Sequence, residues 1–436
     1  MNLTLQTAAF PLLAAIGEPS VGTWIVLTGA AVNVACALVG CFLILRKMSM
    51  MGDALSHAVL PGLVVAFVLT GSRSIVPMFV GAVVVGLLTT FLTQTLHQYA
   101  RVPSDASMGI VFTAMFALGV VLVKKFTGGL HFDIGCVYEG ALELVPFADR
   151  VWGLPRPLLS TLVVLVVNLF TLAMFWKEFK LSSFDAALAT TMGFSATAMH
   201  YLLMTLVSIT TVASFEVVGA ILVVAMLIIP ASTAHLLVDR LGWMVVLAAV
   251  IGVAAAVLGY WGGVYWDTSI SGMMTVAAGG MYALAVLASP KYGVVSNLVR
   301  NLRMSLLVLR DDVLAMLYRL EELQSSERLS AQEVTTAVGG NWLATVAVKQ
   351  LQRAERIEAA GDRLQLTDSG REAARQLVRS HRLWEAYLVE YLGMPLDHVH
   401  EPANRVEHYL DAGIQQQIAE ELHSASQDPH GREIPD

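Results

Sequence analysis

Residues 46–62 read RKMSMMGDALSHAVLPG, directly after an uninterrupted apolar run. Asp53 and His57 stand four residues apart at the start of the next hydrophobic segment, and Pro61 follows four residues later. Residues at i and i+4 share a helix face, with Cβ atoms roughly 5–6 Å apart. Pro61 has no N–H, so the carbonyl of His57 is left without its helical donor. A carboxylate, an imidazole and a freed carbonyl thus converge on one turn, an oxygen and nitrogen set that suits a hard-to-borderline divalent cation. Ionisable groups inside a span are costly and mark ion pathways. The competing reading is structural: Asp53 caps the helix and His57 bonds a neighbouring one.

Composition supplies the solvent for that argument. The 436-residue chain is 56% hydrophobic and 14% charged, with mean hydropathy +0.66. These values fit a polytopic membrane protein and exclude an ordinary soluble domain. Residues 1–299 hold 12 Lys+Arg and 12 Asp+Glu, whereas residues 300–436 hold 15 and 22, so the formal charge of −7 belongs to the last third. The cysteines Cys36, Cys41 and Cys136 form no CxxC pair or disulfide framework. The opening residues lack a basic start and read as an interfacial lead-in rather than a signal peptide.

Apolar stretches long enough to span a bilayer fall near 21–45, 54–71, 75–96, 106–123, 158–178, 196–212, 215–237, 242–262 and 269–289, nine in all. The break between the sixth and seventh is expected around TTVASFE (210–216). Lys and Arg in the short loops divide seven to five in favour of an outside N-terminus and an inside C-terminus. The expected architecture is an all-α polytopic membrane domain of about nine transmembrane helices over 1–295. A linker helix (296–325), a winged-helix-like domain (326–372), a metal-binding and dimerisation-like helical domain (373–425) and a disordered tail (426–436) follow. Lower-ranked pathway candidates are Asn33 and Glu216. His200 and His235 suit interfacial hydrogen bonds, and His131, Asp133, Glu139 and Glu143 lie in a loop that could meet a delivery protein.

The string MSMMGDALSHAVLPG resembles the signature of ABC-3 permeases, the membrane subunits of ABC importers for manganese, zinc and iron. VPSDASMGIVFTAMFALGV (102–120) and EVVGAILVVAMLIIPASTAHLL (216–237), with Pro230, Ala231 and Ala234, resemble that family's later blocks. The resemblance implies an all-α permease that dimerises around a central path, with Asp53 and His57 contacting the transported metal. KEFKLSSFDAALATTMG (177–193) resembles the family's ATPase-coupling segment, which places Phe184, Asp185, Ala189 and Gly193 in that role. No GxxxxGK[ST] loop occurs, so ATP hydrolysis falls to a separate subunit.

Residues 329–374 have the layout of a winged helix: helices at 331–337 and 341–353, a hairpin around Ala360-Gly361-Asp362, and a helix after Thr367. SHRLWEAYLVEYLGMPLDHVHEPANRVEHYL (380–410) resembles the metal-binding and dimerisation helices of diphtheria-toxin-repressor-family regulators. That resemblance assigns an ancillary metal site to His381, Glu385 and His400. It assigns a primary site to Glu407 and His408, with Asp312 a further ligand. Asn404 and Ala315 depart from the ligands expected beside the primary site. The recognition-helix candidate offers only Lys349 and Arg353 in an acidic domain, a poor DNA reader.

The expected function is therefore a permease subunit of an importer for divalent transition metal, Mn²⁺ or Fe²⁺ before Zn²⁺, in a bacterial inner membrane. The carried ion is the ligand, and no tightly bound cofactor is expected. Expected partners are an ABC ATP-binding subunit, an extracytoplasmic metal-binding protein, a second permease copy and membrane lipid. The C-terminal domain would be a cytoplasmic metal sensor. The alternative is a membrane-tethered, metal-dependent transcriptional regulator.

Overall fold

The computed structural model describes residues 20–71, 75–126, 142–323, 329–406, 412–422 and 426–435. The chain divides into two compact units, Met1–Ser296 and Asn297–Asp436.

In the first unit the long apolar runs become helices, the only open-ended way to satisfy backbone polar groups in hydrocarbon. They are α1 (Val21–Leu45), α2 (Met51–Ala58), α3 (Leu60–Thr70), α4 (Ile75–Tyr99), α5 (Ser104–Phe126) and α6 (Arg156–Met174). Two short helices follow, α7 (Trp176–Phe184) and α8 (Ala186–Thr191), then α9 (Ala196–Val218), α10 (Ala220–Leu237), α11 (Leu241–Trp266) and α12 (Ile270–Ala288). A 3₁₀ turn (Leu142–Phe147) and a two-residue hairpin, β1 (Arg150–Val151) with β2 (Leu154–Pro155), precede α6.

Among the described residues eight helical stretches are long and apolar enough to cross a membrane, with Met51–Thr70 counted as one. The ninth expected span is a shorter apolar helix, Leu222–Leu237. The break before it lies at Gly219, not within 210–216, because Gly219 adopts φ +79, which side-chain-bearing residues rarely reach. The Thr and Ser residues upstream do not interrupt α9. Thr210 Oγ1 donates to the Leu206 carbonyl at 2.7 Å, and Ser214 Oγ donates to that of Thr210 at 2.7 Å.

Helix α1 is the centre of the unit: 78% of its span is buried inside the protein, against 28% for α4, α5, α6 and α12. Their outer faces show Phe91, Val121, Phe170 and Leu284 to the surroundings, as lipid-facing helices do. Close approach rests on small residues. A Cβ at Gly40 would strike the Leu227 backbone carbonyl, and Gly62 and Gly81 similarly bring α3 and α4 together. Ala231 and Ala234 of the third motif are fully buried beside Ala37, Cys41 and Ala248, so that motif is packing.

The second unit begins with α13 (Val294–Glu322). Its later half is core rather than linker: Val313, Leu314 and Leu317 pack with Val334, Val348, Leu351 and Leu364. Helix α14 (Ala331–Ala337) starts from a capping box of Ser330 and Glu333, and α15 (Trp342–Arg353) from Asn341, which accepts from Ala344 N at 2.9 Å. Strands β3 (Ile357–Ala360) and β4 (Arg363–Leu366) pair antiparallel, Ile357 opposite Leu366, across Gly361. Helix α16 (Asp368–Leu392) is capped by Thr367 and ends at Gly393, φ +61. Helices α17 (His400–Val406) and α18 (Ala412–Glu421) complete the unit.

The last residues are not a disordered end. Residues 426–435 fold back on α16, where Ile434 joins Leu383, Ala386, Ile418 and Leu422. Arg382, 2% exposed, donates to both Glu322 carboxylate oxygens (2.9 and 2.6 Å) and to the Glu433 carbonyl, with Asp428 at 3.7 Å. A buried guanidinium needs such a set of acceptors, and the tail provides part of it.

Candidate metal sites

The first site forms at a helix break. Helix α2 ends at Ala58 and α3 starts at Leu60, with Pro61 in its first turn, where a missing N–H costs nothing. Asp53 and His57 share a face of α2, with His57 Nε2 3.5 Å from Asp53 Oδ1. Both side chains stay about one-third exposed, 35% and 30%. The imidazole packs between Phe112 and Phe116 of α5, ring centroids at 6.1 and 5.7 Å. The capping alternative is not seen, since the N-cap of α2 is Met50 and carries no side-chain cap bond. The geometry offers an ion two donors from one turn and leaves its remaining coordination open.

The expected coupling residues lie in and around the α7–α8 pair. Asp185 caps α8, its Oδ1 accepting from Leu188 N at 2.9 Å. Ala189 is buried, and Gly193 takes φ +89 to end the turn. Phe184, Leu188 and Met192 stand 61%, 47% and 60% exposed, three apolar side chains at four-residue intervals. Arg46, at the start of the opening motif, donates to Ser182 at 2.7 Å and Ser183 at 3.1 Å, so α7 is tied to the loop that leads into Asp53. Sequence reasoning missed that link, because nothing in the spacing of residues 136 apart announces it.

Other candidates resolve differently. Asn33 is buried with both amide atoms unpartnered and its Cβ against Gly252. His200 Nε2 is buried without a partner, and His235 is exposed. Glu143, though exposed, binds the start of α12, accepting from Ile270 N at 2.9 Å. The Glu216 side chain and residues His131, Asp133 and Glu139 lie outside the described residues.

In the second unit, His381 and Glu385 sit one turn apart on α16, and His400 opens α17. One ligand atom from each lies within 4.8 Å of the others. His381 Nε2 is 2.9 Å from Glu385 Oε1, and His400 Nδ1 contacts the same oxygen. That oxygen is buried and accepts no hydrogen bond of good geometry, so the three atoms converge as ligands do. Burial alone would raise the Glu385 carboxyl, but the facing imidazoles outweigh it and hold it below the usual carboxylate range. His430, carried in by the tail, stacks on His400 with centroids 4.7 Å apart, a neighbour the sequence reading left out.

Of the primary set, only Asp312 lies among the described residues. Asp312, Ala315 and Asn404 line a cavity of about 340 Å³ together with Arg319, whose charge opposes a cation. Glu407 and His408 lie outside the described residues.

Comparison with known proteins follows this division. Residues 21–289 match the ABC 3 transport family, and residues 367–436 match the iron dependent repressor metal binding and dimerisation domain. The manganese transport system membrane protein MntD of Bacillus subtilis (strain 168) is 46% identical over 64% of this chain and 96% of its own length. The zinc transport system membrane protein TroD of Treponema pallidum (strain Nichols) is 41% identical over 79% of this chain and 96% of its own. The solved PsaBC from Streptococcus pneumoniae in complex with Fab is 33% identical over 62% of this chain and 91% of that one, with a TM-score of 0.53. This chain belongs to the ABC 3 transport family, as a multi-pass membrane permease that carries a C-terminal repressor-type metal-binding and dimerisation domain.

Proposed function

We propose that the chain is the permease of an importer for a divalent transition metal, Mn²⁺ first, with Fe²⁺ and Zn²⁺ as alternatives. The observation that carries this reading is the Asp53–His57 pair, two donors about one-third exposed at a helix break inside an ABC 3 permease. Manganese and zinc transport in the names of its relatives supports the class of ion. A separate ATP-binding subunit would dock on the Phe184–Leu188–Met192 ridge, with Asp185, Ala189 and Gly193 fixing its shape. An extracytoplasmic metal-binding protein would deliver the ion, and two permease copies would enclose the path. The setting is a bacterial inner membrane with the C-terminal unit on the cytoplasmic side.

His381, Glu385 and His400 would then hold the same ion after entry and report its level to the permease. Asp312, with Glu407 and His408, would form at most a weaker second site, given Asn404, Ala315 and Arg319 at its cavity. The tethered-regulator alternative is less well supported. Exposed Lys349 and Arg353 are the only cations on α15, too few for phosphate-driven binding.

The test is ATP-dependent uptake of Mn²⁺, Fe²⁺ and Zn²⁺ in cells that express the chain with its ATPase and binding protein. Full-length protein is compared with a chain stopped after Ser296. Truncation should remove inhibition at high internal metal and leave the ion preference unchanged. Equal uptake at every metal concentration would remove the regulatory role, and uptake of none of the three ions would remove the transport reading.

A further inference from the structure

Between the last span and Asp311 the chain carries Lys291, Arg300, Arg303 and Arg310 and no acidic residue. Helix α13 starts at Val294, with five residues between it and the end of α12 at Ala288. Val295, Leu298, Val299, Leu302, Leu306 and Leu309 fall within one arc of about 100° on this helix, and Arg303 and Arg310 lie together on its flank. Val313, Leu314 and Leu317 are buried in the unit's own core, but Val295, Leu298 and Val299 stand 53%, 57% and 42% exposed. The opening turns of α13 therefore expose an apolar face, and Leu302, Leu306 and Leu309 continue it half-buried.

Two occupants fit an apolar helical stripe: a second copy of the helix, or a lipid surface. The apolar arc runs from Val295 to Leu309, about two heptads, and its exposed part ends at Val299, whereas a self-sustaining coiled coil needs three or more heptads. The positions that would face Arg303 and Arg310 across such a pair are Leu298 and Ser305, so no interhelical ion pair is available. Arginines beside an apolar arc, with no acidic residue from 289 to 310 and tethered next to a span, match anionic headgroups over an acyl boundary.

We propose that residues 294–310 form an in-plane amphipathic helix on an anionic bilayer, with Leu298 and Leu302 in the acyl boundary and Arg303 and Arg310 on lipid phosphates. This holds whichever ion the permease carries. Each arginine adds about fivefold to partitioning onto anionic lipid.

The experiment uses full-length protein in proteoliposomes, with Cys36, Cys41 and Cys136 replaced by alanine. Nitroxide labels are placed singly through Leu298→Cys, Leu302→Cys and, on the polar face, Asn297→Cys. In phosphatidylglycerol-containing vesicles, labels at 298 and 302 should be several-fold more accessible to oxygen than to an aqueous nickel chelate, and the label at 297 the reverse. Pure phosphatidylcholine, with all arginines intact, should reduce that contrast, and so should Arg300→Gln, Arg303→Gln and Arg310→Gln combined. Equal chelate access at all three labels would overturn the proposal. So would spin–spin broadening at 302 in every lipid, which would name a second copy as the occupant, or a contrast indifferent to lipid charge.

Discussion

On the proposed reading, the two donor clusters of this chain would use the same chemistry to opposite effect. Asp53 and His57 come from a single turn, lie 3.5 Å apart and stay about one-third exposed. His381, Glu385 and His400 come from two helices, with Glu385 2% exposed and both imidazoles on one of its oxygens. Two accessible donors strip part of an ion's hydration and let it go, whereas three convergent donors around a buried carboxylate retain it. A path requires the first property and a sensor the second. The difference lies in how many elements supply the ligands and how deeply the carboxylate is buried, not in the residue types.

The largest effect that would sharpen this contrast is expected at Arg382. Arg382→Ala leaves Glu322 and Asp428 without their counter-ion and frees the tail, and should destabilise the second unit by about 3 kcal/mol. Thermal denaturation of the full-length protein and protease cleavage near residue 426 read this loss, while uptake through Asp53 and His57 should persist. If uptake fell as far as stability, the two regions would not be separable in the way proposed.

Glu385→Ala should weaken Mn²⁺ binding to the second unit by about 100-fold or more, since losing even a supporting neighbour of a ligand costs 10–100-fold. Equilibrium dialysis measures it, with His381→Ala expected to behave alike and transport to retain its ion preference. Unchanged binding in both variants would return the trio to the status of an ordinary polar cluster.

A smaller effect is expected with pH. The hydrogen bond from Arg382 holds the Glu322 carboxyl below its usual range. A carboxyl lowered in the folded state contributes stability that is fully present above its ordinary value, about 4.3, and is lost as pH falls through the folded value. Tail docking should thus be constant from neutral pH down to mild acid and weaken only below the ordinary carboxylate range. Protease sensitivity that already rises just below neutral pH would show that the Arg382–Glu322 pair does not set tail docking.

Much of this was legible in the sequence. Spans follow from hydropathy alone, and the 53–57 spacing announces a shared helix face before any fold is known. The winged-helix elements are punctuated by Ser330, Asn341, Gly361 and Thr367, local signals that act within a few residues. The break lies at Gly219, beyond TTVASFE, because the apolar run is nearly continuous in sequence and the hydroxyls of Thr210 and Ser214 bond back to the helix. Tail docking was hidden for another reason. SQDPHGREIPD carries one strong apolar anchor, Ile434, and nothing in the sequence separates Arg382, which is buried, from the nearby Arg379, which is not. Such contacts exist only in three dimensions.

The central claim concerns the first cluster, and uptake by its single-residue variants tests it most directly. Asp53→Ala and His57→Ala should each abolish ATP-dependent metal uptake while the protein remains inserted at wild-type level and still stimulated by its ATPase partner. Uptake by both variants at the wild-type rate would contradict the assignment and move the ion path elsewhere in the helix bundle.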